Sequence, residues 1–268
     1  MSMGIGKAWL LACWCLAASA SALEQPPTCG PYRVALYEYG SLAYQREGQD
    51  AAGIDVDIVD EVSRRTGCQL ETFVDSRVRT WNDLINGRLD MTVSAIETEE
   101  RARFAQFAVY MKGRNRLLVR ADLARPVRSL HEFSEQSHLR LAVVKGFKHG
   151  PRWDEWIDML RKQRRVDEYV DADMAARLVA LGRDAAFISE PVVWGRILAG
   201  SKLDGKVTVI DAFPTDNYTA GLAMSRKRVR DDDVRRIQAA VAEMRSDGSL
   251  YKIFSVHLPK AEAQGTVP

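Results

Sequence analysis

The chain has 268 residues, 46% of them hydrophobic, with 38 Lys and Arg against 36 Asp and Glu. A formal charge of only +2 creates no field that would gather nucleic acid or an anionic lipid surface. Length and apolar content suit one large or two small packed domains and exclude a disordered chain.

The opening segment, MSMGIGKAWLLACWCLAASASALEQ, combines one lysine, an apolar run from Ala8 to about Ala18, and the small residues Ala20, Ser21 and Ala22. It reads as a secretory signal peptide over residues 1–22, because the run falls short of the roughly 20 apolar residues that a spanning helix needs. Leu10, Leu11 and Ala12 before Cys13 form a loose lipobox, but cleavage there would leave almost no apolar core, so a lipid tether is the minor reading. The expected product is soluble, exported and monomeric, with flexibility confined to a tail over 258–268.

Cys29 and Cys68 each precede a strand-like run, YRVALYEY and QLETFV, with a helix-like segment between. A right-handed βαβ unit brings both strand starts to one sheet edge, so an oxidising compartment favours a Cys29–Cys68 disulfide over two separate thiols.

Residues 33–39 read as a strand and 55–66 as a helix with Ile58, Val59 and Val62 on one face and Gly67 as its stop. QLETFV is a second strand, a short helix surrounds Trp81 and Leu84, and LDMTVSAI is the next strand. Thr98, Glu99 and Glu100 then look like a helix start, since a hydroxyl cap and acids complement its free amides, yet Arg101 places a cation in that turn. RNRLLVRA is strand again. Beyond Pro126 the alternation restarts: LRLAVVKG as strand, Pro151 opening a helix, DADMAARLVAL as helix, DAAFIS as strand, KVTVIDAF and AGLAMS as strands, and DDDVRRIQAAVAEMRSDG as helix. This pattern implies two α/β units with largely parallel sheets.

Ligand sites in such architectures lie beyond the carboxyl ends of strands and between domains, which directs attention to Glu38, Tyr39, Arg77, Arg79, the 94–101 segment, 146–149, Ser189 and Glu190. There is no GxSxG, HExxH, CxxC, P-loop or post-strand GxGxxG, and the four histidines lack ligand spacing, so no metal or cofactor is expected. RKQRR at 161–165 reads as a solvated helix end, Trp153 and Trp156 as packing, and the sequon Asn217, Tyr218, Thr219 as a chance match.

Four stretches in order carry a resemblance: GIDVDIVDEVSRRTG at 53–67, WNDLINGRLDMTVSAIETEERARFAQFAVY at 81–110, LRLAVVKGF at 139–147 and SDGSLYKIF near the end. Together they resemble the bacterial extracellular solute-binding proteins of family 3, periplasmic receptors for polar amino acids in ABC uptake. The resemblance implies an α/β, two-lobed type 2 periplasmic-binding-protein fold with discontinuous lobes: 23–118 with 214–257, and 119–213, joined by crossovers near 117–121 and 209–214. It implies a small carboxylate-bearing ligand, an inner-membrane ABC permease as partner, and a binding protein in the periplasm and not an enzyme. A dehydratase- or lyase-type enzyme, or a ligand-sensing module for a signalling partner, are the alternatives on the same scaffold.

Arg101 stands where the family clamps a ligand carboxylate, with Ser94, Ala95 and Thr98 as neighbouring donors. Tyr39 and Tyr44 fall where an aromatic wall is expected, and Gly146, Phe147 and Lys148 replace a G-T-T loop. Ser189 replaces the aspartate that holds an α-ammonium. A hydroxyl is a weaker partner for that group, so Glu38 becomes a candidate anion, while Glu190 points away if the strand continues through it. Arg77, Arg79, Lys148 and His149 make a ligand with more than one anionic group plausible.

Overall fold

The computed structural model describes Met1, residues 28–45 and residues 50–268. The expected signal peptide, apart from Met1, and the Cys13 lipobox lie outside the described residues.

In chain order, β1 (Tyr32–Leu36), the small pair β2 (Tyr44–Gln45) and β3 (Ala51–Ala52), α1 (Ile54–Thr66), β4 (Leu70–Val74), α2 (Arg77–Ile85), β5 (Met91–Ile96), α3 (Glu99–Ala102) and β6 (Ala105–Gly113) come first. They are followed by β7 (Arg116–Arg120), α4 (Leu130–Glu135), β8 (Leu141–Val144), α5 (Pro151–Lys162), β9 (Val166–Tyr169), α6 (Ala172–Ala180), β10 (Ala186–Ser189), α7 (Pro191–Ser201) and β11 (Val207–Ile210). The chain then returns through β12 (Tyr218–Ser225) and closes with α8 (Asp231–Ser246), α9 (Ser249–His257) and α10 (Lys260–Thr266).

Two five-stranded sheets result, in the orders β4-β1-β5-β12-β6 and β11-β7-β10-β8-β9. In the first, β12 runs against the other four strands. In the second, β7 does. The sheets are therefore largely parallel, with one reversed strand each. The chain changes sheet between Gly113 and Arg116 and again between Ile210 and Tyr218, so the first change precedes the expected 117–121 crossover, and β7 lies wholly in the second sheet.

Local chemistry sets the element ends that matter for the site. Gly67 takes φ 69 and returns its N–H to Ser63, ending α1. Ser76 accepts from Arg79 N–H and starts α2 right after β4. Pro191 opens α7 at its first turn, which makes Glu190 the residue before the helix. Cys29 and Cys68 are disulfide-bonded beside the parallel pair β1 and β4, where Tyr32 lies opposite Leu70.

Several features depart from the sequence reading. β6 and β9 are strands that the pattern did not yield. The helix α7 also escaped it: VVWGRILAG is apolar almost all round, so it lacks the polar stripe that identifies an amphipathic helix. Arg165 is buried at 4% exposure and donates to the carbonyls of Leu139, Phe133 and Gln136, so the RKQRR run is not wholly solvated. The expected flexible tail is corrected as well. Lys260–Thr266 is helical and packs against α9, β6 and α7, with Ala263 fully buried; in a segment this polar, one small face is enough for docking. No helix of the described residues is long and apolar enough to cross a membrane.

Candidate functional site

The carboxyl ends of β1 and β5 carry a buried polar bracket. Asp55 lies in the first turn of α1, on the same face as Ile58, Val59 and Val62, and is 1% exposed. Its carboxylate accepts from the Ser94 hydroxyl at 2.8 and 2.9 Å and from the Tyr110 hydroxyl at 2.6 Å. Ser94 has φ 45, a conformation uncommon outside glycine, and its N–H donates to Tyr110 Oη while its carbonyl accepts from the Tyr37 hydroxyl. Burial pushes the Asp55 carboxyl up to about 7, against the pull of the Tyr110 and Ser94 hydroxyls and the Arg77 charge. Burial, then the Asp55 charge, pushes the Tyr110 phenol well above its ordinary value.

Two guanidiniums stand beside this bracket. Arg77, the first residue of α2, is 5% exposed and lies 4.2 Å from the Tyr37 ring centroid and 4.1 Å from that of Phe147. Its Nε and Nη1 have no hydrogen-bond partner. Arg101 lies 3.7 Å from the Trp81 ring centroid and donates from Nη1 to the Ile96 carbonyl. Burial, and then the like charge of Arg77, lowers the Arg101 guanidinium to about 9, which still leaves it cationic at neutral pH.

The second sheet contributes from β8 and β10. The turn at Gly146 (φ 80) sends Phe147 across to the first sheet, where its ring meets Tyr39 edge-on at 4.9 Å and Tyr37 at 6.0 Å. β10 ends at Ser189, 1% exposed, followed by Glu190, 6% exposed; Ser189 Oγ and Glu190 Oε2 lack partners. A Cβ built on Gly113 would lie 2.5 Å from the Tyr218 hydroxyl and 2.6 Å from Glu190 Oε2, so the glycine leaves room for both side chains where they stand. Burial raises Glu190 to about 8, although the Arg77 charge and the Tyr39 hydroxyl favour its ionised form. Burial, then the Glu190 charge, raises the Tyr39 phenol well above its usual range.

Of these groups Tyr37, Tyr39, Arg77, Ser94, Phe147 and Glu190 line one cleft between the sheets, with a volume of about 20 Å³. An outer cavity of about 720 Å³ adjoins it through Ile96, Lys148 and Tyr218. The larger groove of about 760 Å³ lined by Arg120, Arg177 and Lys206 lies at the other end of β10, away from this chemistry.

The structure brings Tyr39, Ser94, Phe147, Lys148 and Ser189 together at or beside the cleft, with Gly146 supplying the turn. Arg101 sits next to Arg77. The Ala95 side chain faces the opposite way, into the core with Trp81 and Leu84. The Thr98 hydroxyl accepts from Arg101 N–H, and α3 is a single four-residue turn. Glu38 is exposed, accepts from Gln45 N–H, and with Tyr44 lines a separate groove beside Arg196. Arg79 points outward to Asp75.

The sequence reading left Glu190 pointing away. Pro191 explains the correction: the strand stops at Ser189, so alternation no longer governs the next side chain. Asp55 was missed, although its spacing to Ile58 and Val59 puts an acid on the apolar stripe, and that was the available signal.

Residues 33–260 match the bacterial extracellular solute-binding proteins, family 3. The chain belongs to this family. Its two-sheet α/β architecture is the type 2 periplasmic-binding-protein fold that the sequence led us to expect. Among solved structures it is similar to a histidine kinase sensor domain with similarity to periplasmic binding proteins (TM-score 0.72, 17% identity, covering 86% of this chain and 97% of that one). It is also similar to the arginine-, lysine-, histidine-binding protein ArtJ from the thermophilic bacterium Geobacillus stearothermophilus (TM-score 0.70, 17% identity, 85% and 94%). A third is the ancestral amino acid-binding protein AncCDT-1, a precursor of cyclohexadienyl dehydratase (TM-score 0.68, 17% identity, 85% and 95%). At these identities the likeness speaks for the fold. No curated protein sequence matches the chain. For this solute-binding protein the post-strand cleft is the candidate site.

Proposed function

We propose that the protein is an exported, monomeric receptor that captures a small carboxylate-bearing solute, an amino acid or a derivative, between its two lobes and presents it to an ABC permease in the inner membrane. One observation carries this reading: across one cleft, the first sheet's side holds the buried cation Arg77 with two unpartnered nitrogens, and the second holds the buried acid Glu190 with an unpartnered oxygen. A zwitterion satisfies both, its carboxylate at Arg77 and Arg101 and its ammonium at Glu190 with help from Ser189. Unsatisfied buried polar groups are costly, so a ligand that pairs both favours the closed form.

This revises the expectation built on Arg101 alone. Arg77 supplies the open donors, while Arg101 adds a second cation behind it. A charged hydrogen bond contributes about 1.5 to 3 kcal/mol, so Arg77→Ala and Arg101→Ala are each expected to weaken the best ligand about 10- to 100-fold in calorimetry across amino acids and organic acids. Unchanged affinity in both variants would remove the carboxylate clamp.

A second reading is favoured by Glu190 alone. With its carboxyl raised to about 8 it retains a proton at neutral pH, as a general acid for water or carbon dioxide loss from a carboxylated substrate requires. Product formation followed by NMR on carboxylated substrates would establish it; binding without turnover retains the receptor.

A further inference from the structure

Phe147 belongs to the second sheet's loop, yet the ring contacts it makes are mainly with first-sheet groups. Tyr39 takes it edge-on at 4.9 Å, Tyr37 at 6.0 Å, and the Arg77 guanidinium lies 4.1 Å from its centroid. Because Arg77 is also 4.2 Å from Tyr37, the cation sits in the corner between two rings set at 76° to each other, one from each side of the cleft. His149 of the same loop is the other ring nearby, at 6.1 Å. Phe147 remains only half-buried, so these cross-cleft contacts, and not embedding in its own sheet, hold the ring.

The space left over is decisive. Small-molecule sites usually span roughly 300 to 1,000 Å³, whereas this cleft has about 20 Å³, room on the scale of one water. An amino-acid-sized solute and the Phe147 ring cannot share it. Reaching Arg77 Nε and Nη1 through this cleft therefore requires the ring to withdraw.

We infer that Phe147 is the residue that determines which solutes the cleft admits, by seating its own ring in the cage of Tyr37, Tyr39 and Arg77 and competing with the solute for that space. The inference rests on the receptor reading of this cleft. Edge-to-face aromatic pairs and cation–π contacts both hold the closed form, and a solute must overcome that self-closed population before it binds. Apparent affinity falls by the fraction of molecules that are open. A ring-shaped side chain on the solute replaces what Phe147 provides, so aromatic solutes gain most when Phe147 is cut back.

The test pairs solute-free solution scattering with calorimetry on L-alanine, L-glutamine, L-arginine and L-phenylalanine, for the wild type, Phe147→Ala and the milder Phe147→Leu. Phe147→Ala is expected to increase the radius of gyration without solute and to tighten L-phenylalanine about tenfold relative to L-alanine, with Phe147→Leu between. A variant that stays as compact as the wild type overturns the plug whatever binds, and so does a uniform loss of affinity across the four solutes. If nothing binds either protein but Phe147→Ala still expands, the plug contact stands and the receptor reading fails.

Discussion

The cleft edges of the two sheets are built from the same kind of element, a strand followed by a helix, but they are completed differently. After β5, Ser94 is tied to Asp55 and Tyr110, and Tyr37 is tied back to the Ser94 carbonyl. After β10, Ser189 and Glu190 are just as buried, yet Ser189 Oγ and Glu190 Oε2 have no partner. The Ser94 corner of the first edge is closed by its own side chains and is expected to be rigid, while Arg77 beside it keeps two open nitrogens. The second is left to be completed by what enters the cleft, and Phe147 reaches across from that side. A receptor that closes by moving one lobe against another is served by this arrangement: a fixed corner beside the ligand and, on both faces, polar groups that are satisfied only after closure.

Breaking the finished edge should cost the most. Asp55→Ala leaves the Ser94 and Tyr110 hydroxyls without their acceptor inside the core, and a loss of about 2 to 4 kcal/mol is expected in urea denaturation. A loss below about 0.5 kcal/mol would mean that the bracket is not what holds this edge. The unfinished edge should behave in the opposite way. Glu190→Gln keeps the shape and removes the ionisable carboxyl, so folding stability is expected to hold or rise slightly. Affinity for α-ammonium-bearing ligands is expected to fall about tenfold, while simple carboxylates keep theirs. Equal losses for both ligand classes would separate Glu190 from ammonium recognition.

The contrast was only half legible in the sequence. The alternation of strand and helix, the Gly67 stop, and the placement of Cys29 and Cys68 are set by near-neighbour chemistry, and they appear in the structure as read. The candidate anions were not. Glu38 looked available because it follows a strand, but its carboxylate turns to the Gln45 amide, a choice set by how the next turn folds back. Glu190 was dismissed by strand alternation that Pro191 had already ended. Arg77 and Arg79 are two residues apart, and their sequence neighbours do not reveal that one packs between rings while the other faces Asp75. Groups whose role depends on the opposite lobe have no local signature.

Proton uptake sharpens the comparison at a smaller scale. Asp55 rises from 3.8 to about 7 and Glu190 from 4.5 to about 8, both chiefly through burial. Over those windows the folded protein keeps a proton that the unfolded chain has released. The two groups therefore lower stability as pH rises from about 4 to 8, and add no further loss above that range. Each contributes a slope of up to about 1.4 kcal/mol per pH unit. Denaturation midpoints measured from pH 5 to 9 should show a shallower decline in Glu190→Gln than in the wild type. Parallel curves would show that Glu190 is solvated enough to ionise normally.

The smallest expected effect concerns the terminal helix, which touches both units. α10 packs against α9 and β6 on the first sheet's side and against α7, the helix that follows Glu190, on the second. Ala263 is fully buried and Thr266 nearly so, which is a modest apolar area, partly offset by the entropy of ordering a short terminal helix. Removing residues 260–268 is expected to cost about 1 kcal/mol and to lower Tm by about 2 to 4 °C. The shape of the transition is more informative than its midpoint. If α10 couples the two edges, the truncated protein should melt over a broader range or in two steps where the full chain melts in one, because a link between the finished and the unfinished side is lost. An unchanged single transition with the same Tm would make α10 a passenger, and would leave the crossings at 113–116 and 210–218, with the packing of α7 on Gly40 and Tyr44, as the connection between the two edges.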